Sequence, residues 1–285
     1  MKRAKRVIYV ILLLVFIAIF LVSGYLLLDY FLESQEQTGK YDDLLAMVEA
    51  AKEEANSATT PDKSGLGGEN MDDGSIDTVK LVTVTDPETG EEVTVLAEYA
   101  ELYRLNNDLE GWIQIPDTTI NYPIMHAPDA QDYYLYLNFY EEYSNHGSIY
   151  IREQCDLNEP TDNVTIYGHN MKDGSMFAPL LNYESKDFWD AHKTIMVDTL
   201  TEHHLYQIIA VFTTTASVGK GFEYHTFVDA ATEEEFDEYI STCKSLALYD
   251  TGLTAEYGDT LITLSTCEYS QTNGRLVVVA KRITG

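Results

Sequence analysis

The stretch Thr260–Arg282, TLITLSTCEYSQTNGRLVVVAKR, decides the fold and points to the chemistry. Leu261-Ile262-Thr263-Leu264 has strand composition, apolar and β-branched, and runs straight into Cys267. The polar segment after it ends in Asn273-Gly274, a pair that favours a tight turn back. Arg275 then opens a second apolar run, Leu276 to Ala280. Two strands joined in this way set a thiol at the end of one across from a guanidinium at the start of the next. A fixed cation favours the nucleophilic thiolate and offers a donor fork to a developing oxyanion. The pair reads as a nucleophile site.

Such chemistry needs a proton carrier. Asn163-Val164-Thr165-Ile166-Tyr167 reads as a strand, and Gly168-His169-Asn170 follows at its end. His169 is far from Cys267 in sequence, so only the fold can join them. In this reading Cys267 attacks a peptide carbonyl, Arg275 stabilises the oxyanion and His169 protonates the leaving amine. His169 then deprotonates whatever resolves the thioester. Ser265 and Thr266 flank the thiol, placed either to touch substrate or to continue the strand alternation. Glu268 supplies the backbone N–H just after the nucleophile, a second expected oxyanion donor.

At these residues the chain resembles the sortases, cysteine transpeptidases of Gram-positive cell surfaces. Leu264-Ser265-Thr266-Cys267 with Arg275 on the next strand is similar to their signature, and Tyr167-Gly168-His169-Asn170 to their histidine motif. Gly111-Trp112-Ile113-Gln114-Ile115, Ile120-Asn121-Tyr122-Pro123-Ile124 and the helix-like insert Ala230 to Leu248 resemble class B in particular. The resemblance covers roughly residues 95–283. It implies a mainly β fold, a closed eight-stranded barrel with added helices. It also implies cleavage of a surface protein's sorting signal, of Pro-x-Thr-Gly/Asn type, after Thr, with transfer to a peptidoglycan amine. No cofactor is implied.

The amino terminus places the protein. Lys2, Arg3, Lys5 and Arg6 precede an uncharged apolar run from Val7 to Leu28, and about 20 such residues span a bilayer as a helix. A signal peptide has a shorter apolar region and a small-residue cleavage site, so a retained signal anchor is the better reading. Basic residues before the span, with Asp29 and Glu33 after it, predict a cytoplasmic amino terminus and an extracellular remainder. The expected organisation is tail and anchor over 1–30, stalk and linker over 31–78, and catalytic domain over 79–285. Within the stalk, Tyr41 to Ala55 has helical composition with Leu44, Met47, Val48 and Ala51 on one face, expected to stand solvated. Residues 57–75 read as a flexible linker.

All 47 acidic residues follow the anchor, while the whole chain holds 18 basic ones. That surface repels phosphate backbones, which argues against nucleic-acid partners. The three cysteines show no metal-ligand spacing. Cys155 and Cys243 are expected to be unpaired, with a disulfide between them left open. His126, His146, His192, His203, His204 and His225 are expected in surface or structural roles. Pro87-Glu88-Thr89-Gly90 has the letters of a sorting signal but sits between two short strand-like runs, where a turn is the simpler reading. Many short strands with turn signals favour a barrel or sandwich.

Three alternatives stay open at this stage. A cysteine protease that only hydrolyses would use the same order of residues, and a membrane-anchored adhesion or scaffold barrel would need none of them. Among sortases, a pilus polymerase often carries a second span at the carboxyl end. The chain stops at Gly285 without one, so wall anchoring is the expectation.

Overall fold

The computed structural model describes residues 2–57, 79–217 and 219–283. Two compact units divide between Lys40 and Tyr41. The helix α1 (Lys2–Ser57) carries the apolar run in the first unit, with side chains from Val7 to Leu28 exposed on every face. With a mean hydropathy reaching 3.0, this helix is long and apolar enough to cross a membrane.

The second unit opens with the remaining turns of α1. Tyr41, Leu44 and Val48 recur at helical spacing and are buried in the main core. Tyr41 Oη donates to Gly147 O at 2.9 Å, and its ring meets Tyr122 edge-on at 5.2 Å. The helix expected to be solvated is therefore packed, since each fully buried large apolar side chain contributes about 1.5–3 kcal/mol. The linker expected over 57–75 lies, beyond Ser57, outside the described residues.

Strands β1 (Leu81–Thr85) and β2 (Glu92–Leu96) pair antiparallel as a separate two-stranded sheet. Between them Asp86 Oδ1 accepts from the N–H groups of Glu88 and Thr89 at 2.9 and 2.7 Å, and Gly90 takes φ +75°. The Pro87–Gly90 letters are thus spent on a turn. The helix α2 (Ala100–Leu105) leads into the barrel.

The barrel strands are β3 (Leu109–Gln114), β4 (Asn121–Met125), β5 (Ile149–Ile151), β6 (Asn163–Tyr167), β7 (Thr194–Thr199), β8 (His203–Thr215), β9 (Leu261–Glu268) and β10 (Gly274–Arg282). They close as expected into an eight-stranded barrel in the order β10-β8-β7-β3-β4-β5-β6-β9. Most neighbours are antiparallel, but β4–β5 and β6–β9 are parallel. Helices α3 (Lys186–Ala191) and α4 (Glu233–Leu246) lie in the connections. Thr232 caps α4 by accepting from the Glu235 N–H at 3.3 Å, and the Glu235 carboxylate reaches back to the Ala231 N–H at 2.8 Å.

The unbroken apolar run of β10 has a direct cause. Leu276, Val278 and Ala280 join Ile113, Ile195 and Ile262 inside the barrel, whereas Val277 and Val279 pack against Phe236, Tyr239 and Ile240 of α4. A strand covered on both faces has no polar position to alternate with. The same parity sorts β9, where Ile262 and Leu264 point inward, and β6, where Val164 and Ile166 do.

Candidate active site

Strand parity puts the site on the outer surface of the barrel. Cys267 follows Thr263 and Ser265 on the outward face of β9, and Arg275 shares the outward face of β10 with Val277 and Val279. The two are direct cross-strand partners. On the other side of β9, β6 runs parallel, with Tyr167 opposite Ser265. Two residues further along, His169 comes level with Cys267. The parallel β6–β9 pairing is what cancels their separation in sequence.

Hydrogen bonds fasten the histidine loop to the strand that carries Cys267. The Gly168 N–H donates to Ser265 O at 3.2 Å, Thr266 Oγ1 to Gly168 O at 2.8 Å, and Asn170 Nδ2 to Cys267 O at 2.9 Å. Gly168 has no space for a side chain, because a Cβ there would stand 2.5 Å from Ile149 Cδ1 and 2.7 Å from the Phe177 ring. Phe177 in turn donates its N–H to His169 O at 2.9 Å.

His169 Nε2 lies 2.7 Å from Leu135 O. A carbonyl only accepts, so Nε2 carries the proton and Nδ1 keeps the lone pair for proton exchange. Burial holds this histidine below its ordinary value. The Leu135 carbonyl opposes that shift, and the positive fields of His146 and Arg275 reinforce it. The resting imidazole is therefore neutral at neutral pH.

The Arg275 guanidinium donates from Nη1 to Gly274 O at 2.9 Å. Among the described residues it has no carboxylate partner, which leaves its remaining donors for a ligand. His169, Cys267 and Arg275 line one cleft of about 470 Å³, together with Tyr150, Arg152, Tyr167 and Tyr224.

The sortase domain family matches residues 113–283. The chain belongs to the sortases. Sortase B of Listeria monocytogenes is 38% identical over 190 residues, which is 66% of this chain and 74% of that protein. Sortase B of Staphylococcus aureus is 30% identical over 191 residues, or 66% and 76% of the two chains. The structure of sortase B from Bacillus anthracis in complex with AAEK1 matches with a TM-score of 0.67 at 28% identity, covering 90% of this chain and 100% of that one. The chain is a class B sortase and hence a sortase-type cysteine transpeptidase. The adhesion-scaffold alternative falls away.

Within this sortase, Ser265, Thr266 and Glu268 flank Cys267 on β9. Ser265 is 1% exposed with its hydroxyl 2.6 Å from Tyr224 Oη, and Thr266 is 2% exposed and bonded to Gly168. Both hydroxyls are engaged within the protein, and both residues line the cleft beside Cys267. Glu268 uses its carboxylate to hold the Ser270 N–H and hydroxyl, each at 2.6 Å. Ser265 and Cys267 turn their carbonyls toward the histidine loop, so alternation turns Glu268 toward β10, opposite Gly274.

Sequence reasoning missed Asn170 as a tether, although it adjoins His169. His146, expected in a surface or structural role, is 2% exposed and pairs through Nε2 with Asp173 Oδ2 at 2.8 Å, beside the loop that carries His169. No local signal marks that pair, because its partners meet only in the fold. Cys155 and Cys243 are buried free thiols, and burial pushes Cys243 up to about 12, which makes it inert.

Proposed function

We propose that this sortase cleaves a sorting signal of Pro-x-Thr-Gly or Pro-x-Thr-Asn type after Thr and transfers the new carboxyl terminus to a peptidoglycan amine. The observation that carries the reading is the convergence of Cys267, His169 and Arg275 from three adjacent strands onto one cleft. Neutral His169 takes the Cys267 proton as sulfur attacks the Thr carbonyl carbon. The negative charge that develops on the carbonyl oxygen is met by the Arg275 fork. Collapse breaks the C–N bond, and His169 returns the proton to the departing amine. An incoming amine then attacks the thioester, gives its proton to His169 and releases the thiol. The apolar helix holds the catalytic domain on the extracellular face of the membrane, with the amino terminus inside. Surface proteins and wall precursors meet there.

The test uses the full chain in detergent micelles with a fluorogenic Pro-x-Thr peptide, with and without candidate wall amines. Cleavage should depend on Cys267 and His169, and added amine should divert product from free acid to amide. Cleavage that persists in Cys267→Ala refutes the mechanism. Hydrolysis alone with every amine, together with equal cutting of an unrelated peptide, replaces transfer by proteolysis.

A further inference from the structure

The cleft holds a second arginine to which the chemistry above gives no task. Arg152 stands one residue past β5, fixed there because its backbone N–H donates to Thr165 O of β6 at 2.9 Å. Its side chain lines the same cleft as Cys267 and Arg275. Arg152 is half-buried, and among the described residues its Nη1, shut off from solvent, has no hydrogen-bond partner. No carboxylate pairs with this guanidinium among the described residues, in a chain whose net charge is −29.

The acidic groups that share the cleft are already engaged. Tyr150 Oη donates to Asp132 Oδ1 at 3.0 Å, and the Asp132 backbone N–H donates to Glu153 Oε1 at 2.7 Å. The other neighbours offer little to a cation. Its positive field reaches Tyr167, Tyr224 and His225, and burial holds His225 below its ordinary value, as it does His169. A buried charged donor without an acceptor is costly to keep. It is accounted for when a ligand brings the acceptor, and the forked geometry of a guanidinium matches a carboxylate best.

We propose that Arg152 is a specificity-determining residue that takes up a carboxylate carried by one of the two substrates, while Arg275 serves the reacting carbonyl. The inference rests on the transpeptidase reading above. The carboxylate belongs either to a residue of the sorting peptide beside the scissile bond or to the acceptor amine. A wall amine that carries its own carboxylate would fit the second case. The shared chemistry is a carboxylate brought alongside Tyr167 and Tyr224, displaced from the nucleophile toward β5.

Two experimental arms separate the sources, both on the full chain in micelles. In the first, Pro-x-Thr peptides carry Glu or the isosteric Gln at each position flanking the core, and kcat/KM is read for each pair. In the second, a fixed neutral peptide is the donor, and the acceptor is an α-amino acid amine or its carboxamide. One arm should show a preference for the acid of about tenfold or more, the range of a charge-assisted hydrogen bond. In Arg152→Gln that acid-to-amide ratio should fall to about one. In Arg152→Lys, which keeps the charge and loses the fork, it should fall part of the way. Ratios within one enzyme are insensitive to how much of each variant folds.

Absence of any acid preference in the wild type overturns the proposal, and so does a preference that survives in Arg152→Gln. Either result with cleavage still dependent on Cys267 sinks the role of Arg152 alone. Cleavage that survives in Cys267→Ala sinks the transpeptidase reading instead.

Discussion

Gly168→Ala tests the claim that the histidine is aimed by close packing. The added Cβ would stand 2.5 Å from Ile149 Cδ1 and 2.7 Å from both Cγ and Cδ2 of Phe177. Comfortable carbon contacts lie near 3.5–4.0 Å, so roughly 1 Å has to be found. Ile149 and Phe177 are both fully buried, which leaves neither a free direction. The easier movement is of the loop itself, and that loop ends on His169, tied to Phe177 through its carbonyl. Overpacking of this kind costs about 1–3 kcal/mol, and a displacement of about 1 Å in a reacting group costs on the order of 10²-fold in rate. Urea unfolding followed by tryptophan fluorescence reads the first quantity, and kcat/KM on a fluorogenic peptide reads the second. Ile149→Val removes the nearest methyl, so the double variant should be less destabilised than the two single changes added together. Wild-type stability and turnover in Gly168→Ala, or strict additivity in the double variant, would refute the argument.

Arg275→Lys should lose nearly as much turnover as Arg275→Ala, on the order of 10²–10³-fold, because the charge remains but the fork does not; near-normal kcat would reduce Arg275 to a distant charge. Leu44→Ala should cost about 2–5 kcal/mol, since Leu44 is fully buried beneath the barrel unit, and a change below about 1 kcal/mol in urea unfolding would return that helix to solvent. His169→Gln keeps an amide N–H for the Leu135 carbonyl and removes the titration. A histidine held below its ordinary value stabilises the fold fully above about pH 6.5, and that contribution is lost as pH falls from there toward its folded value. The stability of the wild type relative to His169→Gln should therefore fall between pH 7.5 and 5.5, and a constant difference across that range would contradict the burial of His169.

Most of the fold was legible because its strands announce themselves locally. The run Leu276 to Ala280, the alternation before Tyr167 and the turn at Asn273-Gly274 each state a local preference that the barrel keeps. Cys267 and Arg275 were legible as a pair for the same reason, since a hairpin is a short-range object. His169 was legible by its setting at a strand end. What escaped depends on register or on distant partners. The side to which Glu268 turns its backbone follows from which side of β9 faces β6, and one strand cannot reveal that. The burial of Tyr41, Leu44 and Val48 depends on a barrel surface built much later in the chain. The pairing of His146 and the roles of Tyr224 and Arg152 depend on side chains converging from separate elements, each individually unremarkable in sequence.

The parallel contact of β6 with β9 also orders events in time. Residues 168–260 lie between the two strands, and they include β7, β8 and α4. Until that whole segment has found its place, the chain holds an imidazole in one region and a thiol in another. Contacts spanning so much chain are slow to form, because the loop between them must be closed first. Cys267 and Arg275 also leave the ribosome late, well after the apolar helix and the histidine strand. A partly made chain thus carries the imidazole without the thiol, a full-length unfolded chain carries the two apart, and on the proposed mechanism reactivity arrives together with the closed barrel.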